Sequence, residues 1–278
     1  MGFLFAPRIF HHVQGSDANM HLIFHGSKHS SPRTHNRLTF ACCTLPPVSA
    51  TYTPKGAYGK IADMKTYIVG PENASSAILI VYDVFGFSPQ ILQGADILAS
   101  GGYRVYMPDL LHGDYATPDM FNGSAEGAAK AANYFQGFPA VPQTQSPQIG
   151  ASLAELKVTH DKVGTVGYCW GWKATATSVD VNDFTAIASC HPSFIDLEDA
   201  EKVNVPVCLL PSQDEDKAVV DAVFAKLEQK NPGQNFLKWY PDEPHGWAAA
   251  RGDLSGNEHT KAYQEAYADL LTFFKAKL

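Results

Sequence analysis

From about Lys65 the chain alternates short apolar runs with segments of helical periodicity, and that alternation leaves few folds open. The run Ala77–Val84 (AILIVYDV) is almost wholly apolar, as a strand covered on both faces must be. Next comes Ser88–Ser100, with Ser88 placed to cap a helix, Pro89 at its first position, and Ile91, Leu92, Ala95, Leu98 and Ala99 at helical spacing before Gly101-Gly102. Further strands are expected at Met64–Val69, Tyr103–Leu110, Lys162–Tyr168, Phe184–His191, Val205–Pro211 and Asn235–Pro241. Helices are expected at Ala125–Phe135, Gln148–Leu156, from Trp170 onward, and at Asp216–Lys230 and His259–Leu278. Leu111–Pro147, rich in Gly, Pro and Gln, is irregular apart from its one helix. Such alternation implies an α/β single domain, a mostly parallel central sheet with helices on both faces. Ligands of such sheets meet the loops that leave the carboxyl ends of strands, so reactive residues should lie just after strands.

Of the 278 residues 45% are hydrophobic and 18% charged, enough for one large core. A net charge of −7 argues against a nucleic-acid surface, and no apolar run is long enough to cross a membrane. Five cysteines, two of them adjacent at Cys42 and Cys43, do not suggest a disulfide framework, which favours a reducing compartment. Residues 1–40 differ from the rest: Arg8, Lys28, Arg33 and Arg37 stand against the single acid Asp17, with six of the eleven histidines. They are expected to form a poorly ordered extension before a domain spanning 41–278. The cytoplasm is the expected location, with a mitochondrial one as the alternative raised by the basic leader. The leader histidines are irregularly spaced and lack acidic or cysteine partners nearby, so no metal site is expected.

The pentapeptide Gly167-Tyr168-Cys169-Trp170-Gly171 sits between an expected strand and an expected helix. A nucleophile on such a sharp turn needs glycines on both sides, because a Cβ there would collide with the neighbouring backbone. A packed core thiol needs none, and Cys190 and Cys208, inside apolar runs, fit that description. A thiolate nucleophile wants an imidazole: His245, beyond the last strand, is the first choice and His112 the second, while His160, His191 and His259 read as surface residues. The imidazole wants a carboxylate. Of Asp214, Glu215 and Asp216, the mid-loop Asp214 is chosen, and Asp216 reads as a helix cap. Cys169, Asp214 and His245 thus follow successive strands in the order of the α/β-hydrolase arrangement. The oxyanion hole would use the backbone amides of Trp170 and Val84. Trp170, Trp172 and Trp247 read equally as lining an aromatic pocket or as core.

With YDVFGFSPQ, GGYRVYMPDLLHGD, VGYCWGWKA, SQDEDK and PHGWAAARGD in that order, the chain resembles the dienelactone hydrolase family from about Cys42 onward. ACCTLPPV and GADILA resemble its fungal-type subgroup. The resemblance implies hydrolysis of an enol lactone or activated ester through a cysteinyl acyl-enzyme, with no cofactor. It carries the nucleophile, acid and histidine onto Cys169, Asp214 and His245. The family's thiolate-activating carboxylate, usually a glutamate, falls on Asp83, one methylene shorter. Its substrate-binding arginine after the PDL strand is missing here, where Leu111-His112-Gly113 stands, and the arginine after the histidine is displaced by two residues to Arg251. Arg251, Trp247 and His112 are the candidates for substrate contact. The expected partner is a small-molecule lactone or ester, for a monomer or homodimer. A thioesterase, a tailoring esterase of larger natural products, a non-catalytic receptor and a redox-sensing thiol are the competing readings.

Overall fold

Each apolar run read from the sequence forms a strand or a helix in the computed structural model, which describes residues 48–278. The basic leader 1–40, with its histidines, and Cys42 and Cys43 lie outside the described residues. Among the described residues eight strands form one sheet: β1 (Ala57–Ile61), β2 (Met64–Val69), β3 (Ser76–Val81), β4 (Arg104–Pro108), β5 (Lys162–Tyr168), β6 (Ala186–Cys190), β7 (Val207–Leu210) and β8 (Phe236–Leu237). Their spatial order is β1-β2-β4-β3-β5-β6-β7-β8. The β1–β2 and β2–β4 pairs are antiparallel, and every pair from β4–β3 to β7–β8 is parallel.

The central strands are buried on both faces beyond their first residues, in keeping with their largely apolar sequences. β3 pairs with β5 from Ser76↔Lys162 to Val81↔Gly167, so the two strands end level with each other. Two glycines on β5 show what covers each face. A Cβ on Gly164 would lie 2.9 Å from the Phe274 ring, whereas one on Gly167 would lie 2.6 Å from the backbone of Gly171. These positions have opposite parity along the strand and so face opposite ways. Hence α7 (Glu258–Lys277) covers one face and α4 (Trp170–Ala176) the other.

Between these strands lie α1 (Pro89–Ser100), α2 (Ala125–Tyr134), α3 (Ser146–Thr159), α5 (Leu197–Lys202) and α6 (Lys217–Lys230). Ser88 caps α1 by accepting from the Ile91 amide, with Pro89 at the first position. Asp216 caps α6 through the Ala218 and Val219 amides. α1 and α7 meet at Gly94, where a Cβ would lie 1.9 Å from the Tyr267 hydroxyl, too close for any other residue.

From β3 the chain moves outward to β4, then returns to the other side of β3 as β5. The switch point of the sheet therefore lies between the carboxyl ends of β3 and β5, where such folds open a crevice. Cys169 and the segment Tyr82–Phe85 leave the sheet there.

β1 and α5 are absent from the sequence reading. β1 is an exposed edge strand turned into β2 by Ala62-Asp63, both with positive φ (47° and 60°). That is the two-residue loop of a tight hairpin, made here without its usual Asn-Gly or Asp-Gly.

Candidate active site

Cys169 is the only residue between β5 and α4, and its backbone (φ 54°, ψ −116°) belongs to neither element. A non-glycine residue held there stores about 1–3 kcal/mol of strain, which its surroundings must hold in place. The flanking glycines permit the turn: a Cβ on Gly171 would lie 2.0 Å from the Val81 carbonyl oxygen, and one on Gly167 would strike Gly171 itself. The loop after β6 fastens the turn. The Cys169 amide donates to the Cys190 carbonyl (3.2 Å), and the Cys169 carbonyl accepts from the Ser193 amide (2.9 Å). Cys190 and Cys208 are core thiols of β6 and β7, pushed up in pKa chiefly by burial.

His245 leaves the loop after β8 and is buried. Its imidazole is hydrogen-bonded to Cys169 on one side. On the other, its Nδ1 donates to Glu215 Oε1 at 2.6 Å, with both side chains nearly inaccessible. The sequence reading placed Asp214 at this position, and the structure corrects it to Glu215. Asp214 instead accepts from the His245 backbone amide through Oδ2 (2.7 Å). The two neighbours differ because residues 213–215 form a turn that sends their side chains to different partners. The Ser212 amide binds Glu215 Oε2 and the Ser212 hydroxyl accepts from the Asp214 amide, which fixes which carboxylate faces the ring. A further bond, from the Gln213 amide to the Glu243 carbonyl, ties this loop to the histidine loop.

Burial, the largest influence on His245, favours its neutral ring. The charge and hydrogen bond of Cys169 and then those of Glu215 override it and raise the pKa to about 10. An imidazolium between a thiol-derived anion and a carboxylate is the arrangement that activates a sulfur nucleophile.

Asp83, the expected thiolate-activating carboxylate, has both oxygens on backbone amides: Oδ1 accepts from Phe85 (2.9 Å) and Oδ2 from Ala250 (3.1 Å). It ties the β3 loop to the segment after His245, the ordinary work of a strand-end carboxylate. Burial raises its pKa against those two amides and the nearby Arg251 and His245.

The substrate-contact candidates divide. Arg251 is buried, donates through Nη1 to the His245 carbonyl (2.8 Å) and lies 5.6 Å from the Phe85 ring centre. Gly246, at φ 92°, allows the arginine stem to pass 3.0 Å from where a Cβ would stand. Trp247 is buried against Tyr240, ring centres 4.2 Å apart. Trp170 donates its indole N–H to Ala140 and Trp172 to Asp199, so all three tryptophans are core residues rather than a pocket lining. His112 is exposed, bonded to Gln148 and beside Phe138. The structure does not bring it to His245 or Cys169 in any contact among the described residues. The first-turn amide of Trp170 has no partner within its helix by geometry, and Val84 follows β3 with its carbonyl bound to the Ala116 amide.

Two residues of this site escaped the sequence reading. His191, read as a surface residue, is fully buried, its ring centre 4.9 Å from that of His245. Burial first, then the charges of His245 and Arg251, hold it neutral. Ser193 places its hydroxyl 3.1 Å from Cys169 Sγ and 3.3 Å from His245 Nε2. Both follow β6, so the rule that reactive groups sit just beyond strands pointed to them. His160, also read as surface, is buried and bonds Ala74 and Tyr106.

The model of the dienelactone hydrolase family matches residues 64–278. An uncharacterized AIM2 family protein of Schizosaccharomyces pombe is 34% identical over 232 residues, covering 81% of this chain and 93% of its own. A protein named hydrolase tropI, from Talaromyces stipitatus, is 28% identical over 239 residues, covering 80% and 90%. Among solved structures, the dienelactone hydrolase from Anabaena variabilis superimposes with a TM-score of 0.54 at 18% identity, over 81% of this chain and 98% of its own. At that identity the likeness is one of fold.

Proposed function

The chain belongs to the dienelactone hydrolase family, an α/β-hydrolase fold, and from that premise we propose that it cleaves a lactone or small activated ester through a cysteinyl acyl-enzyme. The observation that carries this reading is His245, bonded to Cys169 on one side and 2.6 Å from Glu215 on the other. The Cys169 thiolate attacks the substrate carbonyl, and the resulting oxyanion is held by the amides of Trp170 and Val84. As the intermediate collapses, the C–O bond breaks and the His245 imidazolium protonates the leaving oxygen; in a lactone that oxygen stays on the acyl chain. Neutral His245 then takes a proton from water as the water attacks the thioester carbonyl. The C–S bond breaks, its electron pair returns to sulfur, and the carboxylic acid departs. Glu215 holds the Nδ1 proton throughout, which fixes the tautomer and favours the imidazolium. Asp83, with its oxygens on backbone amides, acts here by fixing the loop that carries Val84.

The test is hydrolysis of dienelactone beside an aryl ester by wild type, Cys169→Ala and His245→Ala. The aryl ester is expected to turn over, with both variants inactive. A fully active His245→Ala enzyme would sink the mechanism.

A further inference from the structure

Ser193 enters the site from a loop that also holds the strained nucleophile turn. Its amide bonds the Cys169 carbonyl, and two residues back the His191 amide bonds the Leu210 carbonyl at the end of β7. His191 and Phe194 in this loop both have positive φ, 39° and 57°. The Ser193 side chain is buried, with its Oγ at 3.1 Å from Sγ and 3.3 Å from Nε2. A third polar group therefore closes a triangle with the two reacting atoms of the mechanism above.

A hydroxyl suits that place because it both donates and accepts, and can turn as the charges change. While Cys169 is a thiolate, Oγ–H can donate to sulfur as the Ser193 oxygen accepts from the protonated Nε2. Once the sulfur carries an acyl group its negative charge is gone, and with it the strong acceptor. The hydroxyl is then left beside neutral Nε2, where the attacking water must stand.

We infer that Ser193 is a catalytic hydroxyl that stabilises the Cys169 thiolate by hydrogen bonding and, after acylation, holds the water that His245 deprotonates. The inference rests on the reading of Cys169 as nucleophile. No net proton passes through Ser193: the proton of the water goes to Nε2, and the water oxygen bonds the acyl carbon. When the C–S bond breaks, the sulfur recovers its electron pair and the Ser193 hydrogen bond together.

Titratable and charged groups face this triangle from each surrounding loop: Glu215 after β7, His191 after β6, Asp83 after β3 and Arg251 after His245. Substituting Ser193 leaves all of them in place, and the Ser193 backbone amide still holds the Cys169 carbonyl.

The experiment is alkylation of Cys169 by iodoacetamide across pH, resolved at the Cys169 peptide by mass spectrometry, for wild type, Ser193→Ala and Ser193→Thr. Losing one hydrogen bond to a charged sulfur should move the midpoint of the Ser193→Ala profile up by about one pH unit, slowing alkylation about tenfold below it. Ser193→Thr, which keeps the hydroxyl, should retain the wild-type midpoint. In single-turnover ester cleavage, Ser193→Ala should also accumulate acyl-enzyme that wild type does not. An unchanged profile in Ser193→Ala overturns the inference. So does a Ser193→Ala protein unfolded at the assay temperature, since the hydroxyl would then be structural. Ester cleavage surviving in Cys169→Ala refutes the nucleophile itself, an outcome distinct from an inert Ser193 beside an essential Cys169.

Discussion

Replacing Glu215 with glutamine, and separately Asp214 with asparagine, tests which carboxylate serves the histidine. Glu215 uses both oxygens, Oε1 for the His245 Nδ1 proton and Oε2 for the Ser212 amide. A glutamine has one acceptor oxygen, so it can satisfy only one of these donors and must turn its NH2 group toward the other. The His245 and Glu215 side chains are 3% and 4% exposed, so water cannot make good the loss. Removing the charge of one partner from so buried a pair costs about 3–5 kcal/mol. At about 1.4 kcal/mol per tenfold, activity should fall by roughly two to three and a half powers of ten. Asp214 accepts a single backbone bond, which asparagine can still accept through its oxygen. Only charge assistance is lost, about 1 kcal/mol, and less than a tenfold effect is expected. The assay is kcat/KM on an aryl ester, with thermal melting of each variant to separate loss of fold from loss of chemistry. Near-normal activity in Glu215→Gln together with an inactive but folded Asp214→Asn would return the acid role to Asp214.

Gly171→Ala should prevent the native fold from forming, since its Cβ would lie 2.0 Å from the Val81 carbonyl oxygen; a soluble variant melting near the wild-type temperature would refute that reading of the elbow. Lys173→Met should destabilise the fold by about 3–5 kcal/mol in urea titration, because Asp199, fully buried and 2.7 Å from the lysine amine, loses its counter-charge. Adding Asp199→Asn should recover much of that loss, and a double variant no better than the single one would count against it. His245 has its pKa raised from 6.5 to about 10, so its stabilising contribution is fully present below pH 6.5 and is lost as pH rises through about 10. The melting-temperature gap between wild type and His245→Gln should therefore be widest below pH 6.5 and narrow steadily toward pH 10, and a gap that widens with pH would contradict the assigned cause.

Most of the architecture was legible in the sequence because it rests on local rules. The two-sided burial of β3, β5, β6 and β7 demands continuous apolar runs, and those runs are visible without coordinates. The same holds for α1, whose Ser88 cap and Pro89 are choices made within one turn. Cys169 stood out because glycines at both flanks answer a steric demand made by residues a few positions away. β1 was not legible: an exposed edge strand has no apolar period, and its turn uses Ala62-Asp63, which carry no strong turn signal.

What the sequence by itself determined, then, is the succession of strands and helices other than β1 and α5, the sharp turn at Cys169 and the histidine beyond the last strand. Only the tertiary structure decided the partners. Glu215 rather than Asp214 meets the imidazole because loops about thirty residues apart in the chain interlock through Gln213 and Glu243. Asp83 is engaged by the amide of Ala250, 167 residues away, and Ser193 reaches Cys169 because β6 lies beside β5. The tryptophans are core because the fold buries them, Trp170 and Trp172 donating to Ala140 and Asp199, about thirty residues away, and Trp247 packing on Tyr240. Local sterics and periodicity are written in neighbouring residues; which side chain faces which across a sheet depends on strand adjacency and loop dihedrals, and these exist only once the chain has folded.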